Sequence, residues 1–322
     1  MKSFTSLVAA LAAVAAVGVM PATAGGTEIF ETNILNNSIG EYTISGATVN
    51  ASLITGLNAP YGMAVSGGNL FVANYNIGGN PGTIGEYTTS GATVNTSLIT
   101  GLNGPVGVAV SGGNLFVTNN HSGTINAGTI GEYTTSGATV NTSLITGLND
   151  PLGIAISGGY LFVTNGGTFT NNAYNPGTGT IGEYTTSGAT VNASLISGLN
   201  FPKGIAVSGA DLFVANALSG TIGEYTTLGT TVNASLITGL NNPSDIAVSG
   251  NLFVANSNSN SIGEYATSGG TVNASLITGL DEPWGIAIVP EPSTFASGIL
   301  GALSLAAFGR RLRRKRLAAL SA

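Results

Sequence analysis

The chain of 322 residues has 49 glycines, only 7% charged residues and no cysteine, so neither disulfides nor thiolate metal sites support its fold. A single histidine leaves His-Asp-Ser chemistry and histidine metal clusters incomplete unless it works with groups from elsewhere in the fold. Between residues 25 and 289, thirteen acidic side chains stand against Lys203 alone, a formal balance of −12; nucleic acid is repelled and a polyanionic polysaccharide gains no net attraction, which favours neutral glycans, cations or proteins as partners.

The first segment, MKSFTSLVAALAAVAAVGVMPATAGG, has one basic residue, an apolar run from Leu7 to Met20 and the small-residue pattern Ala22-Thr23-Ala24. This predicts a signal peptide over 1–24, cut by signal peptidase before Gly25, and therefore export.

From there the tetrapeptide Ile-Gly-Glu-Tyr recurs six times, with its isoleucine at 39, 84, 130, 181, 222 and 262. A period of 40 to 51 residues points to a propeller or a solenoid. One unit, Ile84 to Asn119, holds four short runs rich in Val, Ile, Thr and Tyr, separated by Gly, Asn, Ser or Pro turns. Helical spacing is missing, so each unit reads as a four-stranded blade. Counted outward, the strands of one blade are GVAVS around 109, NLFVTN at 114–119, TIGEYT at 129–134 and TVNTSLIT at 139–146.

The last unit stops after GLDEPWGIAI without its second strand, and residues 28–42 align without a gap on residues 251–265. Glu28 to Asn33 is expected to pair with the strand around Gly285 to Ile288, closing a ring of six blades and removing its open edges. The fold class expected is therefore all-β: a six-bladed β-propeller over 25–289 with N-terminal strand closure. The recurring Pro-x-Gly-Ile-Ala-Val, Gly-Asn-Leu-Phe-Val-Ala-Asn and Ile-Gly-Glu-Tyr motifs resemble the NHL-type and streptogramin-lyase-like six-bladed propellers over essentially the whole of that span. The lyases of this group imply a catalytic histidine and a divalent metal in the propeller; beyond His121, nothing in the repeats matches that pattern.

After the body comes Val289-Pro290-Glu291-Pro292, an apolar segment from Phe295 to Phe308, the basic run Arg310, Arg311, Arg313, Arg314, Lys315 and Arg316, and a tail over 317–322. As a helix the apolar segment rises about 21 Å, short of the roughly 30 Å hydrocarbon core. The basic cluster holds this end on the cytoplasmic side while the body faces outward. The arrangement over 290–316 resembles the PEP-CTERM sorting signal of Gram-negative bacteria. The resemblance implies an exosortase-type processing enzyme as partner, transient membrane insertion through a short transmembrane sorting helix, tethering at the inner membrane before cleavage, and a cell-surface or extracellular matrix location afterwards, in organisms that make exopolysaccharide and biofilm.

Comparison of the internal copies locates the variable surface. Length varies in the loop between second and third strands (75–83, 120–129, 166–180, 217–221, 257–261), and identity varies at the residues flanking the proline before each innermost strand. Both connections emerge on one face of a propeller, and loops on a rigid scaffold are where binding resides. Candidate ligand-binding residues on that face are Tyr61, Phe201, Lys203 and Trp284 near the channel mouth, with His121 and Tyr174 on the long loops. Asp245 replaces a glycine found at 62, 107, 153 and 204; it is placed to face the channel or to pair with Lys203. The Glu of each Ile-Gly-Glu-Tyr is expected away from the channel, paired with backbone or Tyr hydroxyls between blades. Asn-x-Ser at 50, 95, 141, 192, 233 and 273 reads as one turn copied six times rather than as a glycosylation signal. No catalytic residue, metal site or cofactor is assigned. A surface or biofilm-matrix binding protein, with exopolysaccharide or surface proteins as partners, is the leading expectation; a propeller hydrolase, lyase or lactonase with a metal at the channel mouth is the rival.

Overall fold

The structure is a computed structural model that describes residues 27–289, apart from 79–80, 122–125 and 171–172. The expected signal peptide over 1–24 and the sorting segment over 290–316 with its tail over 317–322 lie outside the described residues, whereas Val289 closes the last strand, Pro283–Val289. Among the described residues no helix is long and apolar enough to cross a membrane.

Six four-stranded antiparallel sheets form the six blades, each running from an innermost to an outermost strand. Blade one comprises Pro60–Ser66, Asn69–Asn74, Gly82–Thr88 and Thr93–Leu102. The innermost strands of blades two to five are Pro105–Ser111, Pro151–Ser157, Pro202–Ser208 and Pro243–Ser249. Blade six is assembled from both ends of the described chain: Pro283–Val289 pairs antiparallel with Glu28–Asn33, which continues through Ser38–Thr43 to Thr48–Ile54. The closure expected from the gap-free alignment is present, with Glu28 opposite Val289 and Phe30 opposite Ala287.

The second strands of blades one to five read Leu-Phe-Val-Ala/Thr-Asn without polar alternation because both faces are covered by neighbouring blades. Leu70 and Val72 face blade six in a cluster with Phe30, Ile39 and Met63. Phe71, on the opposite face, packs on Val108, Leu115 and Val117 of blade two. The pattern recurs around the ring, giving six separate apolar clusters, one per blade interface. In Ile-Gly-Glu-Tyr, the isoleucine and tyrosine enter clusters on opposite sides of the blade, as Ile84 and Tyr87 do. The glycine makes room for the tyrosine: a Cβ on Gly85 would stand 2.8 Å from the Tyr87 ring.

Two expectations are corrected. Three of the six glutamates pair within their own blade, with the Asn side chain that begins the second strand: Asn69 donates to Glu86, Asn114 to Glu132 and Asn251 to Glu264, at 2.6, 2.6 and 2.7 Å, whereas the blades of Glu41, Glu183 and Glu224 have Glu28, Tyr160 and Asp211 at that position. The partner lies across one strand, so a bond to a neighbouring blade is unnecessary. Asn-x-Ser is also no turn. It sits inside the outermost strand, where the register to the third strand shifts between Ile130–Ile145 and Glu132–Asn141. The Asn side chain accepts the Ser N–H two residues on, in all six copies. This bulge interrupts an otherwise open sheet edge, a device that discourages edge-to-edge pairing.

Candidate functional site

Each innermost strand begins at a proline, and the residue before it has positive φ in every blade: Ala59 (48°), Gly104 (66°), Asp150 (55°), Phe201 (54°), Asn242 (56°) and Glu282 (56°). Glycine and asparagine take this conformation readily; Ala, Phe and Glu hold it against backbone strain. In all six blades the carbonyl of the same residue accepts the N–H that follows the second strand, as in Tyr75 to Ala59, Gly166 to Asp150 and Ile34 to Glu282. The two variable connections are thus tied together on one face, as the repeat comparison anticipates.

The residue after each proline starts a layered channel. The top layer carries Val106, Leu152, Lys203, Ser244 and Trp284, with Tyr61 at the equivalent place in blade one. Beneath it lie Gly62, Gly107, Gly153 and Gly204, with Asp245 in blade five; Gly285 completes the layer in blade six. Met63, Val108, Ile154, Ile205, Ile246 and Ile286 form an apolar third layer. The glycines let innermost strands approach: a Cβ on Gly107 would stand 2.4 Å from the Leu152 carbonyl oxygen. Together these layers line a cavity of about 120 Å³.

Threonines on the second strands stitch this channel wall. Thr118 accepts from Gly107 N–H and donates to the Leu152 carbonyl; Thr164 does the same for Gly153 and Lys203, and Thr32 for Gly285 and Tyr61. Blade five has Ala255 at that position, and its link to blade six is made by Ser244 Oγ donating to the Pro283 carbonyl and Asp245 Oδ2 accepting the Ile286 N–H at 3.0 Å. The expected Asp245–Lys203 pair is therefore not formed. Asp245 turns sideways into the backbone of blade six, while Lys203 turns toward the mouth. Burial pushes the Asp245 carboxyl up to about 7, against the opposing pull of the Ile286 and Ile246 N–H groups.

Lys203 is 4% exposed. Its ammonium lies 4.1 Å from the Trp284 ring centroid and 5.4 Å from that of Phe201, and donates to Asn242 Oδ1 at 3.1 Å. Desolvation pulls it down to about 8, with the Glu282 charge opposing. Aromatic contacts extend on both sides. Trp284 meets Tyr61 edge-on at 4.6 Å, and Tyr61 lies 5.0 Å from Tyr75. Phe201 stacks on Tyr174 at 3.7 Å, and Tyr174 meets Phe169 at 4.9 Å. Tyr174 is fixed by its hydroxyl, which donates to Asp150 Oδ2 at 2.6 Å. Burial is the main cause that raises both groups.

Of the sequence candidates, the structure brings together Tyr61, Tyr174, Phe201, Lys203 and Trp284, and places Asp245 one layer below. His121 stands apart, in the left-handed region with φ 50° and its Nδ1 3.1 Å from Asn103 Nδ2. Sequence reasoning passed over Tyr75, Asp150, Phe169 and Asn242. All four lie in the variable loops or proline-flanking positions, and only the contacts between those segments reveal their roles. Among the described residues no three His, Cys, Asp or Glu side chains gather in a metal-binding group.

No protein-family model matches the chain, and no curated protein matches it. Solved structures do. A chain of the nidogen/laminin complex superposes with TM-score 0.65 at 17% identity, covering 82% of this chain and 98% of that one. Virginiamycin B lyase from Staphylococcus aureus gives 0.55 at 20% identity, covering 82% and 88%. XC5397, a gluconolactonase from Xanthomonas campestris, gives 0.54 at 15% identity, covering 69% and 77%. The body is a six-bladed propeller of the kind seen in streptogramin B lyases. Identities this low show the fold alone, which hosts binding modules and enzymes alike.

Proposed function

We propose that this chain is an exported, non-enzymatic propeller that binds glycan at the cell surface or in the extracellular matrix, delivered through its PEP-CTERM-like C-terminal signal. The observation that carries the binding reading is the aromatic mouth. Trp284 lines the cavity and Tyr61 packs on it, while Phe201, stacked on Tyr174 of the long loop of blade three, lies beside Lys203 of the cavity wall; planar faces of this kind suit stacking on sugar rings.

Trp284 is the one tryptophan of the chain, so its fluorescence reports on the mouth directly. Titration with neutral and acidic oligosaccharides, paired with calorimetry, should give saturable binding that Tyr61→Ala or Trp284→Ala weakens roughly tenfold or more at a temperature where each variant is still folded. Absence of saturable binding to any oligosaccharide would overturn the glycan reading. Turnover of lactones or cyclic depsipeptides, lost with Asp245→Ala, would replace it by the hydrolase or lyase reading that the lactonase and lyase neighbours keep open. The sorting proposal is tested by intact mass and terminal sequencing of the protein recovered from cells. Termini near Gly25 and Pro290 are expected, and a mature chain retaining the basic run 310–316 would refute processing.

A further inference from the structure

Resting on the glycan reading, we infer that the mouth takes a carboxylate-bearing end residue of an acidic glycan, with Lys203 as the anion partner. Lys203 is the one cation of the body between residues 25 and 289, and it lies in the cavity wall rather than on the surface. An ammonium has three N–H donors. The hydrogen bond it makes goes to the neutral amide of Asn242, and the rings of Trp284 and Phe201 contribute attraction without accepting a hydrogen bond. The Glu282 charge offsets part of the cost of this buried cation but makes no hydrogen bond to it, and a carboxylate arriving from solvent supplies further charge and the acceptors that are lacking.

The shape of the cavity selects an end group. Its roughly 120 Å³ is of the order of the space that holds one benzene-sized ring, and the layer of Met63, Val108, Ile154, Ile205, Ile246 and Ile286 gives it an apolar floor. A chain passing across the face cannot lower a mid-chain carboxylate to Lys203, whereas a terminal residue can, with its ring against Trp284 in the cavity wall. The acidic remainder of the body, and Glu282 at the rim, limit attraction to the single charge that reaches Lys203. This sharpens the composition argument: net repulsion of a polyanion over the whole surface and local capture of one of its ends are compatible, because exposed charges are screened within about 8–10 Å at physiological salt.

The test compares digalacturonate with its dimethyl ester, a pair differing in charge, by calorimetry on the full chain and on Lys203→Met and Lys203→Arg. The wild type should prefer the acid by roughly tenfold or more. The ratio of the two affinities should collapse to about one in Lys203→Met and survive in part in Lys203→Arg, which keeps the charge. Equal binding of acid and ester by the wild type, or an acid preference that persists in Lys203→Met, overturns this inference and leaves the glycan reading standing. Failure of both compounds to bind, when neutral oligosaccharides do bind, overturns it equally. If no glycan of any kind binds, both readings fall together.

Discussion

The ammonium of Lys203 and the indole of Trp284, 4.1 Å apart, join the fourth blade to the sixth with the fifth between them in the ring. The contact couples a titrating group to the one intrinsic fluorophore of its kind. Emission from Trp284 should therefore change with a midpoint near pH 8, where the buried amine loses its proton. Lys203→Met should abolish the transition, and an unchanged titration in that variant would show that the two groups are not in contact in solution.

Stability should have a minimum near pH 8. Glu31 is raised from 4.5 to about 8 and Asp245 from 3.8 to about 7, each chiefly by burial. Within those windows the folded state holds a proton that the unfolded state has lost, so stability falls as pH rises. Lys203 is lowered from 10.5 to about 8; above pH 8 the unfolded state holds the extra proton and stability rises again. Melting temperatures measured from pH 5 to 10 check both limbs, and Lys203→Met should flatten the alkaline one.

Glu31 occupies a position at which the other five blades carry valine: 72, 117, 163, 214 and 254. It is fully buried, accepts from Asn33 Nδ2, and leaves Oε2 without a partner. Glu31→Val should stabilise the protein by about 1–3 kcal/mol at pH 7, the usual cost of an unsatisfied buried polar group, and should reduce the acidic limb of the pH profile. Chemical denaturation at pH 5 and pH 8 measures both, with the larger gain expected at pH 8.

Tyr174→Phe removes the hydroxyl that binds Asp150 and frees one wall of the mouth. A loss of about 1–2 kcal/mol is expected, with glycan affinity falling several-fold while the far side of the mouth, reported by Trp284 emission, stays unchanged.

Gly107→Ala should lower stability by about 1–3 kcal/mol or more, because the added methyl meets the Leu152 carbonyl oxygen, which cannot move without shifting a strand. By contrast, Gly270→Ala, whose Cβ would meet the Ala266 methyl at an ordinary 4.0 Å, should melt close to wild type. A similar loss at both sites would argue against close packing of the innermost strands.

The ring was legible from the chain because its units are copies. Strand order, closure by Glu28–Asn33 and the variable face all follow from comparing one unit with the next. The same alignment places Glu31 opposite Val254, yet its burial becomes meaningful only once both faces of the second strand are known to be covered. Direction of side chains was less accessible. Lys203 and Asp245 lie on adjacent innermost strands and have opposite charges, which suggested a pair; backbone hydrogen bonds from blade six draw the carboxylate away. Tyr174 and Asp150 meet across 24 positions through a loop without repeat counterparts, so no internal comparison could reveal that contact.

The closure of blade six sets an order of events. Thr32 accepts a hydrogen bond from Gly285 across 253 positions, so Glu28–Asn33, paired on one edge with Ser38–Thr43, keeps its other edge open until the strand at the far end of the described chain exists. Blades one to five bring all four of their strands from contiguous sequence and can form as they emerge, while the circle is completed by its oldest and newest segments together. A partly made chain consequently remains an open arc with unpaired edges, and the mouth, which needs Tyr61 beside Trp284, comes into being only with the final strand.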